Sequence, residues 1–368
     1  MNLDFLVFWK NILPPLVISF LISLISTPLV IKIVKKIGLI DDPSKKKHPK
    51  IIHTYPVPRG GGIPILFALI GASLIFLNFD KHLLGIISGA TLAVFIGVLD
   101  DKYDLNPFLR LFTCFLSAIF VVGSGIGISF VSNPFGGIID LSHPQIYFNL
   151  LGKTRSIWLF SDILALFWIV WCMNMVNWSS GIDGQISGMI PIAAITIALL
   201  SSRFTEDITQ WNVAILAAIT AGAYLGFLPF HIFPQKIMPG YGGSTLGGFL
   251  LAVLSILSGA KIATAILVLG LPLTDGVYTI IRRIYHRRSP FLGDRGHLHH
   301  RLFDLGWSKR KIAIFYWLTT AILGLLALNL NSKQKFYTII MLGVLIGGVL
   351  MWLNYLKNWQ GRQDQDNG

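Results

Sequence analysis

Apolar residues run along this chain in long blocks separated by short polar interruptions. A membrane-crossing helix needs roughly 20 mostly apolar residues. Eleven blocks approach that length, near 12–34, 60–77, 83–99, 108–131, 157–176, 186–201, 211–231, 244–258, 261–281, 312–330 and 335–356. Those at 186–201 and 244–258 are short. The longest polar stretches are 35–59, 132–156 and 282–311, and neither a soluble appendage nor an internal repeat is visible. The pattern predicts an all-α integral membrane protein, one polytopic domain over 1–368 with about 11 transmembrane helices.

Composition agrees. Of 368 residues, 54% are hydrophobic and 13% charged, about half the charged share of a soluble domain, which excludes both an aqueous fold and a disordered chain. Cys114 and Cys172 lie inside apolar blocks, with no zinc spacing. The N-terminal MNLDFLVFWK lacks a basic region and a cleavage site, so it reads as an uncleaved first segment.

The net charge of +13 adds sidedness. With eleven crossings, one face receives the loops near 35–59, 100–107, 177–185, 232–243 and 282–311 and the C-terminus. Twenty-one of the 30 Lys and Arg lie there, against eight on the other face and Lys32 within a helix. The positive-inside rule makes that face cytoplasmic, in a multi-pass protein of the cell membrane. Basic clusters beside a membrane attract anionic lipid and phosphate, so nucleic acid is not an expected partner. The opposite face has one longer loop, containing NPFGG (133–137), where a small hairpin is expected.

Five polar constellations fall on the cytoplasmic face. DDKYD supplies Asp100, Asp101 and Asp104, hard oxygen ligands that can share a divalent cation or hold a proton, although a lone acidic pair is also an ordinary interfacial cap. NMVNWSSGIDGQ places Asn174 and Asn177 on one helix face and leads to Ser180 and Asp183; a polar turn would explain its glycines but not its two amides. PGYGGSTLGG (239–248) puts Tyr241 and Ser244 at a helix start, where free N–H groups can cradle phosphate or small residues can serve packing. RRIYHRRSPFLGDRGHLHHR (282–301) gathers six arginines, including Arg295, with Asp294, His297, His299 and His300. It suits phosphate oxygens better than zinc, which so many arginines would repel. In the first loop, Lys45, Lys46, Lys47 and Lys50 read as topology signals. His53, Arg59 and a rigid Pro-Val-Pro segment before Gly60–Gly62 look more specific.

Together these motifs, from about residue 40 to 311, resemble the polyprenyl-phosphate N-acetylhexosamine-1-phosphate transferases, in the branch that uses a UDP-N-acetylamino sugar. DDKYDL, N-x-x-N…GIDG and SPF-x-x-DR-x-HLHHRL carry the resemblance. It implies transfer of a sugar-1-phosphate from a UDP-sugar to a polyprenyl phosphate with release of UMP, in cell-wall or surface-glycan synthesis, with Mg²⁺ as cofactor. It also implies Asp100, Asp101 and Asp183 as metal and catalytic groups, with His297, His299 and His300 catalytic at the phosphates. His53, Arg59, Asn174, Asn177, Tyr241, Ser244 and Arg295 would bind substrate. UDP-sugar, polyprenyl phosphate and membrane lipid are the implied partners, and a homodimer stays open.

The chain departs from the family pattern in four places. Tyr241 and Ser180 stand where aspartates are usual, Arg110 where lysine is, and Cys114 where glutamine is. A homologue that binds lipid phosphate without turnover is therefore an alternative. A transporter is a weaker one, because the polar residues collect at one interface rather than at mid-bilayer.

Overall fold

The computed structural model describes residues 2–44, 52–150, 152–203, 208–259, 262–289 and 295–366. The first half runs α1 (Asn2–Lys36), β1 (Ile40–Asp41), β2 (Val57–Pro58), α2 (Gly62–Phe76), α3 (Lys81–Tyr103), α4 (Pro107–Gly123), β3 (Phe130–Ser132), β4 (Ile138–Asp140), β5 (Gln145–Leu150) and β6 (Lys153–Trp158). There follow α5 (Leu159–Trp178), α6 (Gln185–Ser201), α7 (Ile208–His231), α8 (Gly240–Leu257), α9 (Ile262–Val268), α10 (Gly270–Tyr285), α11 (Leu298–Asp304), α12 (Lys309–Asn329) and α13 (Ser332–Asp366).

Each of the eleven apolar blocks contains a helix, although that at 108–131 is helical only to Gly123 and ends in β3, and the blocks are not equivalent. Seven helices, namely α1, α3, α5, α7, α8, α12 and α13, are long and apolar enough to cross a bilayer. The block expected as one helix over 261–281 is two, α9 and α10, meeting at 83°; taken as one broken span they make an eighth. The remaining three blocks form the shorter helices α2, α4 and α6, of 15, 17 and 17 residues. The block at 244–258, expected to be short, starts earlier, at Gly240, and reaches 18 residues.

Local chemistry sets several boundaries. Asp80 caps α3 by accepting from the Leu83 N–H at 2.8 Å. Asn106 caps α4 through the Phe108 N–H at 2.9 Å, with Pro107 at the first helical position. Ser308 caps α12. In bilayer hydrocarbon every backbone group needs a partner, which is why apolar blocks adopt helix despite Pro14, Pro15, Pro28, Pro191 and Pro229 inside them.

Helix α8 is the axle of the bundle. All but its ends are buried, and it packs on α3 and α5. A methyl group on Gly97 of α3 would lie 2.1 Å from the Gly242 Cα of α8, so the two backbones are in direct contact. Small residues give this intimacy where water cannot drive association. Peripheral helices instead expose large apolar side chains, among them Ile25, Leu29, Phe112 and Leu325.

The strands form three antiparallel hairpins. One of them, β3–β4, closes over 133–137 where a small hairpin was expected, and β5–β6 follows it. The first, β1–β2, pairs Ile40 with Pro58 and Asp41 with Val57, which folds the first loop back on itself. That pairing sets Asp41 beside Arg59 and docks the loop on the α8 entry, where Pro58 O accepts from the Met238 N–H at 2.8 Å.

Candidate active site

DDKYD does not form a separate loop: α3 continues to Tyr103 and ends at Asp104, left-handed at φ 51°. Asp100 and Asp101 therefore leave the same rigid helix end in different directions. Asp100 accepts from Arg110 Nε at 2.6 Å and from the Leu105 N–H at 3.0 Å, and Arg110 also binds Asp104 at 2.6 Å. Asp101 turns inward. Its Oδ1 accepts from the Tyr241 N–H at 3.1 Å and lies 3.7 Å from Arg59 Nη1. Its Oδ2 is buried without a hydrogen-bond partner. Gly240 makes room for it, since a methyl there would lie 1.9 Å from Oδ2.

The start of α8 thus already engages the Asp101 side chain, where a phosphate cradle or helix packing were the two readings of its glycines. Ser244 is also engaged, its hydroxyl 2.6 Å from Asn177 Oδ1. The Asn174 amide donates to the Val170 carbonyl of its own helix at 2.8 Å. Of the two amides on one face, Asn177 is the one that ties α5 to α8.

Arg59 binds Asp41 through Nε at 3.2 Å and through a short contact from Nη2. Burial opposes its charge, but the Asp101 and Asp41 carboxylates more than offset this and raise its pKa. His53 Nε2 lies 4.0 Å from Asp41, and burial lowers its pKa against the pull of that carboxylate. Lys45, Lys46, Lys47, Lys50 and Asp294 lie outside the described residues.

A second group adjoins the first. Asp183 Oδ1 accepts from Lys309 Nζ at 3.2 Å, while Oδ2 is buried and unpartnered. Gly181 abuts His299, whose Nε2 would lie 2.2 Å from a methyl at that position. The rings of His299 and His300 are 4.3 Å apart, and that of His297 stacks on His299 at 5.8 Å. Asp275 holds both His297, at 2.8 Å from Nδ1, and the Leu298 N–H at 2.9 Å. This fixes the ring and starts α11, leaving Nε2 as the free face of the imidazole. Arg295 pairs with Asp304 at 2.6 Å.

Two bridges join the groups. One is the Asn177–Ser244 bond. The other is electrostatic: Lys309 opposes the charging of His53, and burial followed by the Asp183 carboxylate raises the pKa of Tyr55. Asp101, Asp183 and His299 thus belong to one network drawn from α3, the α5–α6 turn, α8, α11 and α12.

Among the described residues no group of three His, Cys, Asp or Glu stands together as a metal site. Each candidate carboxylate has a basic neighbour instead. Asp101 Oδ2 and Asp183 Oδ2 remain as acceptor-only atoms without donors, which fits Mg²⁺ held by one or two carboxylates together with substrate phosphates. Three of the four departures from the family pattern form one contact set, while Ser180 donates to the Asn177 carbonyl at 2.6 Å. The Arg110 guanidinium lies 5.6 Å from the centre of the Tyr241 ring, whose hydroxyl is 3.4 Å from Cys114 Sγ.

Asp41, Asp275 and Lys309 were not among the expected site residues. Asp41 stands in the DDPS run of the first loop, and its pairing across β1–β2 was the missing signal. Asp275 sits in LPLTDG, an isolated acid in an apolar helix, which is a recognisable mark of function. Lys309 carried no sequence signal, being one of three consecutive basic residues.

Fold and site together define a polytopic helical membrane protein with a buried network of acidic and basic side chains. Residues 83–259 match the family model described as glycosyl transferase family 4. It is 29% identical to a probable undecaprenyl-phosphate N-acetylglucosaminyl 1-phosphate transferase of Bacillus subtilis, over 90% of this chain and 88% of the relative. It is 26% identical to the decaprenyl-phosphate N-acetylglucosaminephosphotransferase of Mycobacterium tuberculosis, over 94% and 89%. The undecaprenyl-phosphate alpha-N-acetylglucosaminyl 1-phosphate transferase of Escherichia coli K12 is 28% identical over 79% and 76%.

Proposed function

We propose that this chain transfers N-acetylhexosamine-1-phosphate from a UDP-sugar to a polyprenyl phosphate and releases UMP. An oxygen of the lipid phosphate forms a bond to the sugar-bearing phosphorus as the bond from that phosphorus to UMP breaks. The observation that carries the reading is the convergence of Asp101, Asp183 and His297–His300 on one network, in a chain similar along most of its length to transferases of this kind.

Bringing two phosphates together is the central difficulty. Two unit charges 5 Å apart at an effective dielectric of 20 repel by about 3 kcal/mol. Arg59 and Lys309 supply fixed positive charge against this. Asp101, with one oxygen free, is placed to take the proton of the acceptor phosphate, while Arg110 clamps Asp100 as the anchor of the helix end. His297, oriented by Asp275, presents Nε2 to a phosphate oxygen. His299, His300 and Arg295 complete the phosphate-binding side, and His53, Asn174, Asn177, Tyr241 and Ser244 shape the donor side. Mg²⁺ held at Asp101 or Asp183 together with the phosphates would supply further charge neutralisation. We take the crossings as eleven, counting α2, α4, α6 and the bent pair. With that count, the excess of Lys and Arg in the loops on the site's side supports a cytoplasmic-facing site in the cell membrane.

The test is UMP release by purified protein given UDP-N-acetylglucosamine and undecaprenyl phosphate, with and without magnesium. Turnover lost in Asp101→Asn supports the reading, and full turnover in that variant overturns it. Ser180 and Tyr241 at the usual aspartate positions favour a second reading, a homologue that binds without turnover. UMP formation excludes it, and a Tyr241→Asp comparator tells whether the missing carboxylate limits the rate.

A further inference from the structure

We propose that Lys309 binds a phosphate of the nucleotide substrate, with Asp183 holding the ammonium while that phosphate is absent. The proposal deepens the transferase reading and rests on it, since it names one more residue of the same site.

The placement of the side chain is the first argument. Lys309 opens α12, and a cation in the first turn of a helix faces the positive end of the helix dipole. The charge is therefore not there to stabilise the helix. Its neighbours Arg310 and Lys311 are exposed, whereas Lys309 is only 8% exposed. Trp317, two turns on, donates to the carbonyls of Gly184 at 3.2 Å and Gln185 at 3.1 Å. That contact locks α12 to the Asp183 turn and fixes where Lys309 emerges.

Donor accounting is the second argument. An ammonium has three N–H donors. Among the described residues, Lys309 has one acceptor, Asp183 Oδ1, and its ammonium lies 5.3 Å from the centre of the Phe233 ring. Two buried donors are thus left open, and an anion would satisfy both. The surroundings suit a phosphate: Asp183 adjoins Gly181, which abuts His299, and on another side lies His53, whose charging Lys309 opposes. The titratable groups tied to this ammonium are Asp183, which accepts from it, and His53, whose own charged neighbours are Asp41 and Arg59. A compact ammonium that exchanges one carboxylate oxygen for phosphate oxygens gives the site a fixed cation before any substrate arrives.

The experiment measures UDP binding by calorimetry on the detergent-solubilised full chain. Lys309→Gln keeps a donor for Asp183 but removes the charge; Lys309→Arg keeps the charge. The expected result is at least tenfold weaker UDP binding in Lys309→Gln, in keeping with a lost charged hydrogen bond, and a change of less than about threefold in Lys309→Arg. In turnover, Lys309→Gln raises KM for the UDP-sugar more than it lowers kcat. Wild-type UDP affinity in Lys309→Gln overturns the proposal. Should that variant fail to fold, the charge-free pair Lys309→Gln/Asp183→Asn is compared with Asp183→Asn, and equal UDP affinity in those two overturns it as well. The two readings separate cleanly. Lys309-dependent UDP binding without UMP formation keeps this proposal and removes the transferase reading, whereas UMP formation with an unchanged KM in Lys309→Gln does the reverse.

Discussion

Adding one methyl group at Gly240 tests whether the rigid seat of Asp101 is what the site depends on. Gly240 has φ +67°, and a Cβ there would lie 1.9 Å from Asp101 Oδ2 and 2.8 Å from its Cγ. Two penalties arise in Gly240→Ala. A left-handed backbone costs an L-residue about 1–2 kcal/mol, and forcing an extra carbon into filled space costs about 1–3 kcal/mol. Gly38 separates them, because it has φ +73° with nothing within 4 Å of its would-be Cβ. Gly38→Ala therefore bears the backbone cost alone, and the difference between the variants, about 1–3 kcal/mol, is the collision with the carboxylate. The functional effect should exceed the stability effect. Asp101 would be pushed off the Tyr241 N–H, and a displacement of about 1 Å costs roughly 100-fold in rate. Paired measurements of UMP release and of the thermal unfolding midpoint in one detergent decide it. Gly38→Ala should keep nearly full turnover with a slightly lowered midpoint, while Gly240→Ala should lose turnover by roughly two orders of magnitude. Equal turnover and equal midpoints in the two variants would refute the reasoning.

Further outcomes follow from other contacts. Arg110→Leu, which strips Asp100 of its guanidinium, should destabilise the protein by about 1.5–3 kcal/mol, seen as a lower midpoint that Asp100→Asn in the same chain partly restores. Gly181→Ala should displace His299 and reduce turnover without preventing expression, checked by UMP release against monodispersity on gel filtration. His53 titrates below its ordinary 6.5 because it is buried. Between its folded and unfolded values the folded chain therefore binds fewer protons than the unfolded one, so stability rises with pH through that window and is lost as pH falls below about 6.5. The drop in midpoint from pH 7.5 to 5.5 should accordingly be smaller in His53→Gln than in the parent chain.

Much of the site was readable in one dimension. Asp100, Asp101, Asp183 and His297–His300 stand out because carboxylates and imidazoles are rare in a chain with this apolar content, and each carries a desolvation cost that demands a reason. Their partners were hidden. Arg59 and Asp41 meet through β1–β2, a pairing of two residues on each strand with no periodicity to betray it. Asn177 reaches Ser244 across 67 residues, and Lys309 reaches Asp183 across 126. The helix beginning at Gly240 showed a similar limit. Its glycines suggested a phosphate cradle or close packing, yet the group that accepts from its Tyr241 N–H is Asp101, from a helix that ends 137 residues earlier.

The sequence by itself determined that the chain is a bundle of apolar helices, because hydrocarbon leaves the backbone no other way to satisfy its hydrogen bonds, and it determined which few polar side chains that environment would have to accommodate. Tertiary structure alone decided that α9 and α10 are bent apart, that α2 and α4 are short, and which cation sits on which carboxylate. The physical reason is range. Hydrophobic periodicity is a local property of neighbouring residues, whereas the pairing of a buried charge depends on which remote helix end packing delivers to within about 4 Å.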